Sequence, residues 1–320
     1  MSTHILSGWR FSALVFTILV SAMGYLFLSL WGGWEQVAEG IAKIGWNGLI
    51  FALSFSLISY FIRFNRWNYF LLQLGQKVPF WDNLRIYIAG FALTATPGKS
   101  GEALRGVFLH DFNVPYRKSF AAFLAERFSD LFAIALLAAA GLWSRSESQI
   151  PVMATLAVLV LILFIVQQEQ WLKKFEKFAQ DRFSPKIAHF IEFVVETILS
   201  FRTCFTIKAL TVGTILGVIS WAAEGVAFYY ILQLLGVSIS IHHAIFIFAV
   251  SLLIGALTFL PGGLGGVEVS MIQLLTVFGA SAAAATSATI MIRLATLWFS
   301  VLLGLIALPK KQLTIRKDSH

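Results

Sequence analysis

Residues 92–106 read ALTATPGKSGEALRG. Pro97 removes a backbone donor and stops a helix, while Gly98 and Gly101 let the chain turn. The apolar run before the break, Ile86 to Thr96, has 11 residues. At about 1.5 Å per residue it covers roughly half a bilayer. A second short run follows, Ala103 to Phe112, and the pair reads as a re-entrant helical hairpin. Further on, residues 256–262 read ALTFLPG, matching ALTATPG (92–98) at five of seven positions. That copy lies in another interrupted pair: Ala244 to Leu260, then PGGLGGVE (261–268), then Val269 to Phe278. Pro261, Gly262, Gly263, Gly265 and Gly266 supply its break.

The chain around these breaks is mostly hydrocarbon. Of 320 residues, 58% are hydrophobic and 12% charged, about half the charge of a soluble protein, and the mean hydropathy is +0.80. The pattern predicts an all-α polytopic membrane protein, because no short alternating strands of a transmembrane barrel occur. Six full spans are expected: residues 11–31, 44–62, 119–143, 151–166, 209–235 and 286–308. The first run is too long for a signal peptide's apolar region and lacks a clear cleavage site, so it reads as a permanent helix.

The net charge of +8 would suggest nucleic acid in a soluble protein. Here the basic residues sit in loops. With the N-terminus in the cytoplasm, inside segments hold 19 lysines and arginines, and outside loops hold only Lys43 and Arg145. That asymmetry predicts cytoplasmic termini, in the cytoplasmic (inner) membrane, and no nucleic-acid partner. Cys204 is the single cysteine, so no intramolecular disulfide forms. Six scattered histidines give no metal-ligand spacing, and no metal or cofactor is expected. Between the fourth and fifth spans, 167–208 reads as a cytoplasmic amphipathic connector. Trp171, Leu172, Phe175 and Phe178 share a face flanked by Lys173, Lys174 and Lys177, suited to an anionic membrane surface or simply to solvent.

The two breaks belong to a longer repeat. Glu102 precedes Arg127 by 25 residues, and Glu268 precedes Arg293 by 25. Ser59 precedes Gly75 by 16, as Ser220 precedes Gly236. LLQLG (71–75) resembles ILQLLG (231–236), and in that register Arg63 aligns with Glu224. Several matches in order point to duplication, with repeat A at 44–143 and repeat B at 209–308 in one membrane domain. Combined with the charge asymmetry, the two repeats run in opposite senses. Inverted repeats with broken helices are characteristic of alternating-access transporters.

Within the expected spans and hairpins lie five acids, Glu102, Glu126, Asp130, Glu224 and Glu268, against three bases, Lys99, Arg127 and Arg293. Each is costly near the midplane and needs a partner or water. Arg127 and Asp130 pair locally at i, i+3. Arg293 has no acid within a turn, so its partner is Glu268, Glu102 or a ligand phosphate, which the guanidinium fork suits. Half-helix N-termini after each break offer N–H groups to an anion, and Lys99 adds charge. These features make Lys99, Glu102, Arg127, Asp130, Glu268 and Arg293 candidate substrate contacts, with Arg63, Arg105, Glu126 and Glu224 as supporting charges. The bland alternative is a set of internal staples. The excess of acids over bases also raises the idea of a buried protonated acid and proton coupling. GKS at 98–100 is not a nucleotide loop, because Leu93 stands where that motif needs glycine; GGLGG lacks a βαβ setting.

In PGKSGE with ERFSDL (126–131), and in LPGGLGGVE (260–268), the chain resembles the flippase-like family, the membrane region of lysylphosphatidylglycerol synthases, also found as stand-alone proteins. The resemblance covers about residues 10–308 and implies movement of a phospholipid or modified phosphatidylglycerol between leaflets. By position it carries over to Pro97, Gly98, Gly101, Glu102, Glu126, Arg127, Asp130, Pro261, Gly262, Gly263, Gly265, Gly266 and Glu268. The bifunctional synthases continue into an aminoacyl-transferase domain, and this chain stops twelve residues after Leu308, so the expectation is a transporter and not an enzyme. Membrane lipids are the expected partners. A non-transporting partner of a lipid-synthesising enzyme and a head-group enzyme are the alternatives. No residue pattern fixes an oligomeric state.

Overall fold

A computed structural model of the chain describes residues 33–96, 100–141, 149–182 and 185–308, with Met23, Gly24 and Leu30. The expected helix 11–31 and the residues Pro97, Gly98 and Lys99 lie outside the described residues. Among the described residues the chain is helical, with no sheet. In order the helices are α1 (Trp34–Gln73), α2 (Phe80–Gly90), α3 (Arg105–Leu109), α4 (Tyr116–Gly141), α5 (Gln149–Val166), α6 (Glu169–Arg182), α7 (Pro185–Thr203), α8 (Ile207–Leu234), α9 (Ile241–Leu257), α10 (Gly266–Val277), α11 (Ala282–Arg293) and α12 (Phe299–Ala307).

Among the described residues, three helical stretches are long and apolar enough to cross a membrane: α1, α8, and the run Ala282–Ala307 formed by α11 and α12. Counting the bent pair α5–α6 as one span gives a fourth. Helix α4 has the length, at 26 residues, but carries Glu126, Arg127 and Asp130 in its middle.

Helix α1 corrects one boundary. The sequence reading ends this span at Ile62, ahead of Arg63 and Arg66, yet the helix continues to Gln73. It kinks at Gly45 (φ 57°). Its true stop is Gly75, at φ 70°, with Gln76 N–H donating back to Leu71 O. A glycine in the left-handed region is the usual helix terminator, and two arginines alone do not end a helix. Lys118 Nζ adds a hydrogen bond to Leu74 O at 3.0 Å. Helix α8 ends the same way: Gly236 stands at φ 73° and Val237 N–H donates to Leu232 O. The aligned LLQLG and ILQLLG segments thus form one kind of cap, and each is followed by a helix that starts at Phe80 or Ile241, 161 residues apart.

The chain divides into two compact units. The first comprises Met1–Leu57, Leu84–Glu102 and Ala223–His320; the second comprises Ile58–Asn83 and Ala103–Ala222. In the first unit α10 packs between α9 and α11, and α12 packs on the 3-10 turn Phe91–Leu93 that follows α2. Gly304 of α12 permits this contact, since a Cβ there would lie 2.0 Å from Ala92 N. In the second unit α4 packs against α3, α5 and α7, and α7 also against α6. Its core is aromatic: the Phe128 and Phe205 rings meet edge to face at 5.1 Å, with Phe70 and Phe201 beside Phe205.

Candidate functional site

The first unit contains both loop tips. On the first hairpin, α2 ends at Gly90, a 3-10 turn carries the chain to Leu93, and Thr94 to Thr96 form the tip. The chain resumes as a 3-10 helix, Ser100–Leu104, which contains Gly101. Thr94 Oγ1 donates to Glu102 Oε1 at 2.7 Å across the break, and Glu102 is buried. On the second hairpin, Gly262, Gly263 and Gly265 all take positive φ (60°, 68° and 81°), a run that side-chain-bearing residues resist. Phe259, just before them, stands at φ 52° and is 73% exposed. A bulky residue there is a strained outlier.

The two tips touch. A Cβ built on Gly262 would lie 3.2 Å from Leu297 and 3.6 Å from Ala95 Cα. Ala95 packs on Val301, with Trp298 and Leu305 against the pair. These contacts fall on and just after a π-helical turn, Leu294–Trp298, that directly follows Arg293. Single π turns inside α-helices recur at functional sites.

Arg293 reaches back across this turn to the break. Its Nε donates to Glu268 Oε1 and its Nη2 to Gly262 O, both at 2.7 Å. Glu268 Oε2 accepts the Gly265 N–H at 2.8 Å, so Glu268 caps its own helix from the third position. Of the three partners the sequence leaves open for Arg293, the structure provides Glu268. It also corrects the picture of an open anion site at this half-helix N-terminus: the carboxylate of Glu268 already occupies it. Glu224, also of this unit, is 2% exposed.

The second unit holds a chain of ion pairs. Arg66 Nη2 meets Asp130 Oδ1 at 2.5 Å. Arg127 bridges Asp130 at 3.1 Å and Glu126 at 3.4 Å, and Glu126 Oε2 accepts Arg105 Nη1 at 2.6 Å. Trp221 Nε1 donates to the same Asp130 oxygen at 2.9 Å, and Arg66 also donates to Ser129 Oγ. Rings cover the guanidinium groups: Arg63 lies 4.6 Å from the Trp221 ring centroid, and Arg105 lies 5.1 Å from that of Trp67. Four helices supply the parts, α1 (Arg63, Arg66, Trp67), α3 (Arg105), α4 (Glu126, Arg127, Asp130) and α8 (Trp221).

Two things here were missed by sequence reasoning. Arg66 and Trp221 were not candidates, although Arg66 is fully buried. Arg66 sits three residues after Arg63, one helical turn along the same face, and the cap at Gly75 was the available signal that the helix runs through both. The charge count also changes. Arg63, Arg66 and Arg105 are buried with Arg293, and Arg127 nearly so, which gives five bases to the five acids Glu102, Glu126, Asp130, Glu224 and Glu268 among the described residues. Among the described residues, therefore, acids no longer outnumber bases.

The fold and these clusters define an all-helical integral membrane protein built around broken helices and buried ion pairs. The chain belongs to the family described as lysylphosphatidylglycerol synthase TM region, whose model matches residues 13–304. It is similar to a UPF0104 membrane protein of Methanothermobacter thermautotrophicus, 27% identical over 310 residues, covering 90% of each chain. A UPF0104 membrane protein of Pyrococcus horikoshii is 26% identical over 314 residues, covering 90% of this chain and 94% of the relative.

Proposed function

We propose that this protein moves an anionic or modified phospholipid between membrane leaflets by alternating access. The observation that carries the reading is the meeting of two helix breaks, Ala95 on Gly262, beside the buried Arg293–Glu268 pair. In this reading the chain crosses the cytoplasmic membrane six times with both termini inside, and its repeats run in opposite senses. Breaks that half cross a bilayer must be buried in protein or line a wet cavity, and the tip contact is where such a cavity closes. The lipid phosphate competes with Glu268 for the Arg293 fork, and the charge of Lys99 is proposed to attract it. Glu102, Arg127 and Asp130 are proposed as further substrate contacts, with Arg63, Arg105, Glu126 and Glu224 as supporting charges. A separate lipid-synthesising enzyme supplies the modified lipid.

The test is reconstitution into vesicles with fluorescent lipids of several head groups, followed by bleaching of the outer leaflet. Protein-containing vesicles are expected to bleach past the half that empty vesicles reach. Arg293→Ala and Glu268→Gln are each expected to slow this with folded protein retained. Bleaching equal to that of empty vesicles for every head group overturns the reading.

A further inference from the structure

Among the described residues, helix α6 is the most amphipathic element, and the function proposed above makes no use of it. It leaves α5 through a sharp corner: the two axes differ by 63° across a short break. The corner is pinned. Arg202 at the end of α7 pairs with Glu169 and donates to Gln167 Oε1, and Gln167 Nε2 donates to Phe205 O. Residues 153–166 of α5 carry no charge. If α5 crosses the bilayer, as the six-span reading has it, a helix 63° from it runs closer to the membrane plane than to its normal.

One side of α6 is already covered. Ala179 is fully buried and Leu172 half-buried, on the side packed against α7. A different side is open. Trp171 is 72% exposed and Phe178 52%. With 3.6 residues per turn, Trp171, Phe178 and Arg182 fall within about 40° of one another. The Arg182 guanidinium lies 5.8 Å from the Phe178 ring centroid. Exposed Lys174 and Lys177 continue the wheel from that stripe, while Glu176 is half-buried and Glu169 is engaged by Lys173 and Arg202. An aromatic stripe edged by exposed cations, on a helix turned toward the membrane plane, matches an interface of anionic headgroups over acyl chains.

We infer that α6 is an interfacial anchor: Trp171 and Phe178 enter the headgroup–acyl boundary, and Lys174, Lys177 and Arg182 bind anionic lipid headgroups. The charge sets the preference for anionic lipid, and the rings set the depth. The inference rests on α5 being a span, but not on transport.

The test uses the full chain in nanodiscs of phosphatidylcholine, alone or mixed equally with phosphatidylglycerol. Cys204 is buried, with its thiol pushed up to about 12 by burial, so a cysteine introduced by Trp171→Cys or Phe178→Cys takes a spin label selectively. Depth is read from collisions with oxygen against collisions with a water-soluble nickel chelate. Labels at 171 and 178 are expected to favour oxygen, and to favour it more in the mixed discs. Adding Lys174→Gln, Lys177→Gln and Arg182→Gln is expected to abolish that increment. Labels that favour nickel in both discs overturn the inference. So does depth indifferent to phosphatidylglycerol, or shielding from both reagents, which would mean that protein covers the face. Photo-crosslinking of the unmodified protein to headgroup-reactive phosphatidylglycerol checks the same claim without substitution; crosslinks absent from 171–182 count against it. Because depth is read apart from lipid movement, loss of one reading leaves the other standing.

Discussion

The two charge clusters use the same residue types for different ends. In the second unit, Arg66, Asp130, Arg127, Glu126 and Arg105 bind one another side chain to side chain, and they tie together helices that are each continuous where they contribute. In the first unit, Arg293 and Glu268 bind backbone as well as each other: Gly262 O on one side and Gly265 N–H on the other. Those backbone groups are orphans created by the break. The first arrangement is a lattice of buried side chains that hold one another in place. The second is a clamp on a loop, and in the proposed function a lipid phosphate competes for its arginine. The lattice is therefore expected to answer to stability measurements, and the clamp to lipid movement.

The comparison is tested most severely at Asp130. Replacing it with alanine strands Arg66, which is fully buried, and removes the acceptor of Trp221. Breaking a buried pair from one side costs about 3–5 kcal/mol. The expected result is a large drop in melting temperature in detergent. Glu268→Gln leaves an amide oxygen able to accept the Gly265 N–H and is expected to cost clearly less. Equal losses at the two positions would erase the distinction between lattice and clamp.

How much of this was legible in sequence follows from the same contrast. The clamp was legible in part: the PGGLGG run breaks a helix for a local reason, and Glu268 stood among three partners left open for Arg293, but the hold of both on the backbone of the break was not foreseen. The lattice was half legible. Arg127 with Asp130 follows from helical spacing, but Arg105 with Glu126 and Arg66 with Asp130 join different helices, 21 and 64 residues apart. Nothing periodic encodes such pairs. Arg66 was further hidden by the positive-inside argument, which takes an arginine beyond an apolar run as a loop residue. The meeting of Ala95 with Gly262 was foreshadowed by the repeat, and its packing on the π turn was not, because a π turn has no composition of its own.

The next largest effect sharpens the clamp's setting. Gly304→Ala would gain helix propensity of about 1 kcal/mol. Against that, its Cβ would meet the backbone of Ala92 at 2.0 Å, and backbone does not yield like a side-chain tip. Overpacking of this kind costs about 1–3 kcal/mol, so the net is a loss. Lipid movement is expected to fall with it, since the contact seats the turn that leads into the first tip. A variant with unchanged stability and transport would mean that α12 does not hold that tip.

Smaller still is a pair of opposite substitutions on the second tip. Phe259 occupies the left-handed region and is mostly exposed, so Phe259→Gly relieves about 1–2 kcal/mol of backbone strain while adding about 0.5–1 kcal/mol of chain entropy. A slight gain in stability is expected. Gly262→Ala imposes the same strain on φ 60° beside Leu297 and is expected to lose stability. If the strain at Phe259 serves the opening of the tips, the stabilised variant moves lipid more slowly. Faster movement would leave the strain without that role.

The smallest effect lies outside both clusters, at the corner before α6, and shows what an exposed pair does by comparison. Lys173 and then Arg202 hold the Glu169 carboxyl below its usual range through hydrogen bonds and charge. A carboxyl depressed on folding contributes its stability above the unfolded carboxylate range and loses it as pH falls through the lowered value. The corner is therefore expected to loosen only in acid, and only slightly, because solvent screens the pair. Hydrogen exchange at the backbone of 167–173 is expected to quicken below the usual carboxylate range in the native protein, and to become pH-independent, after correction for intrinsic exchange, in Glu169→Gln. A global melting temperature falling steeply over the same range, and still falling in Glu169→Gln, would instead place the acid sensitivity outside this corner.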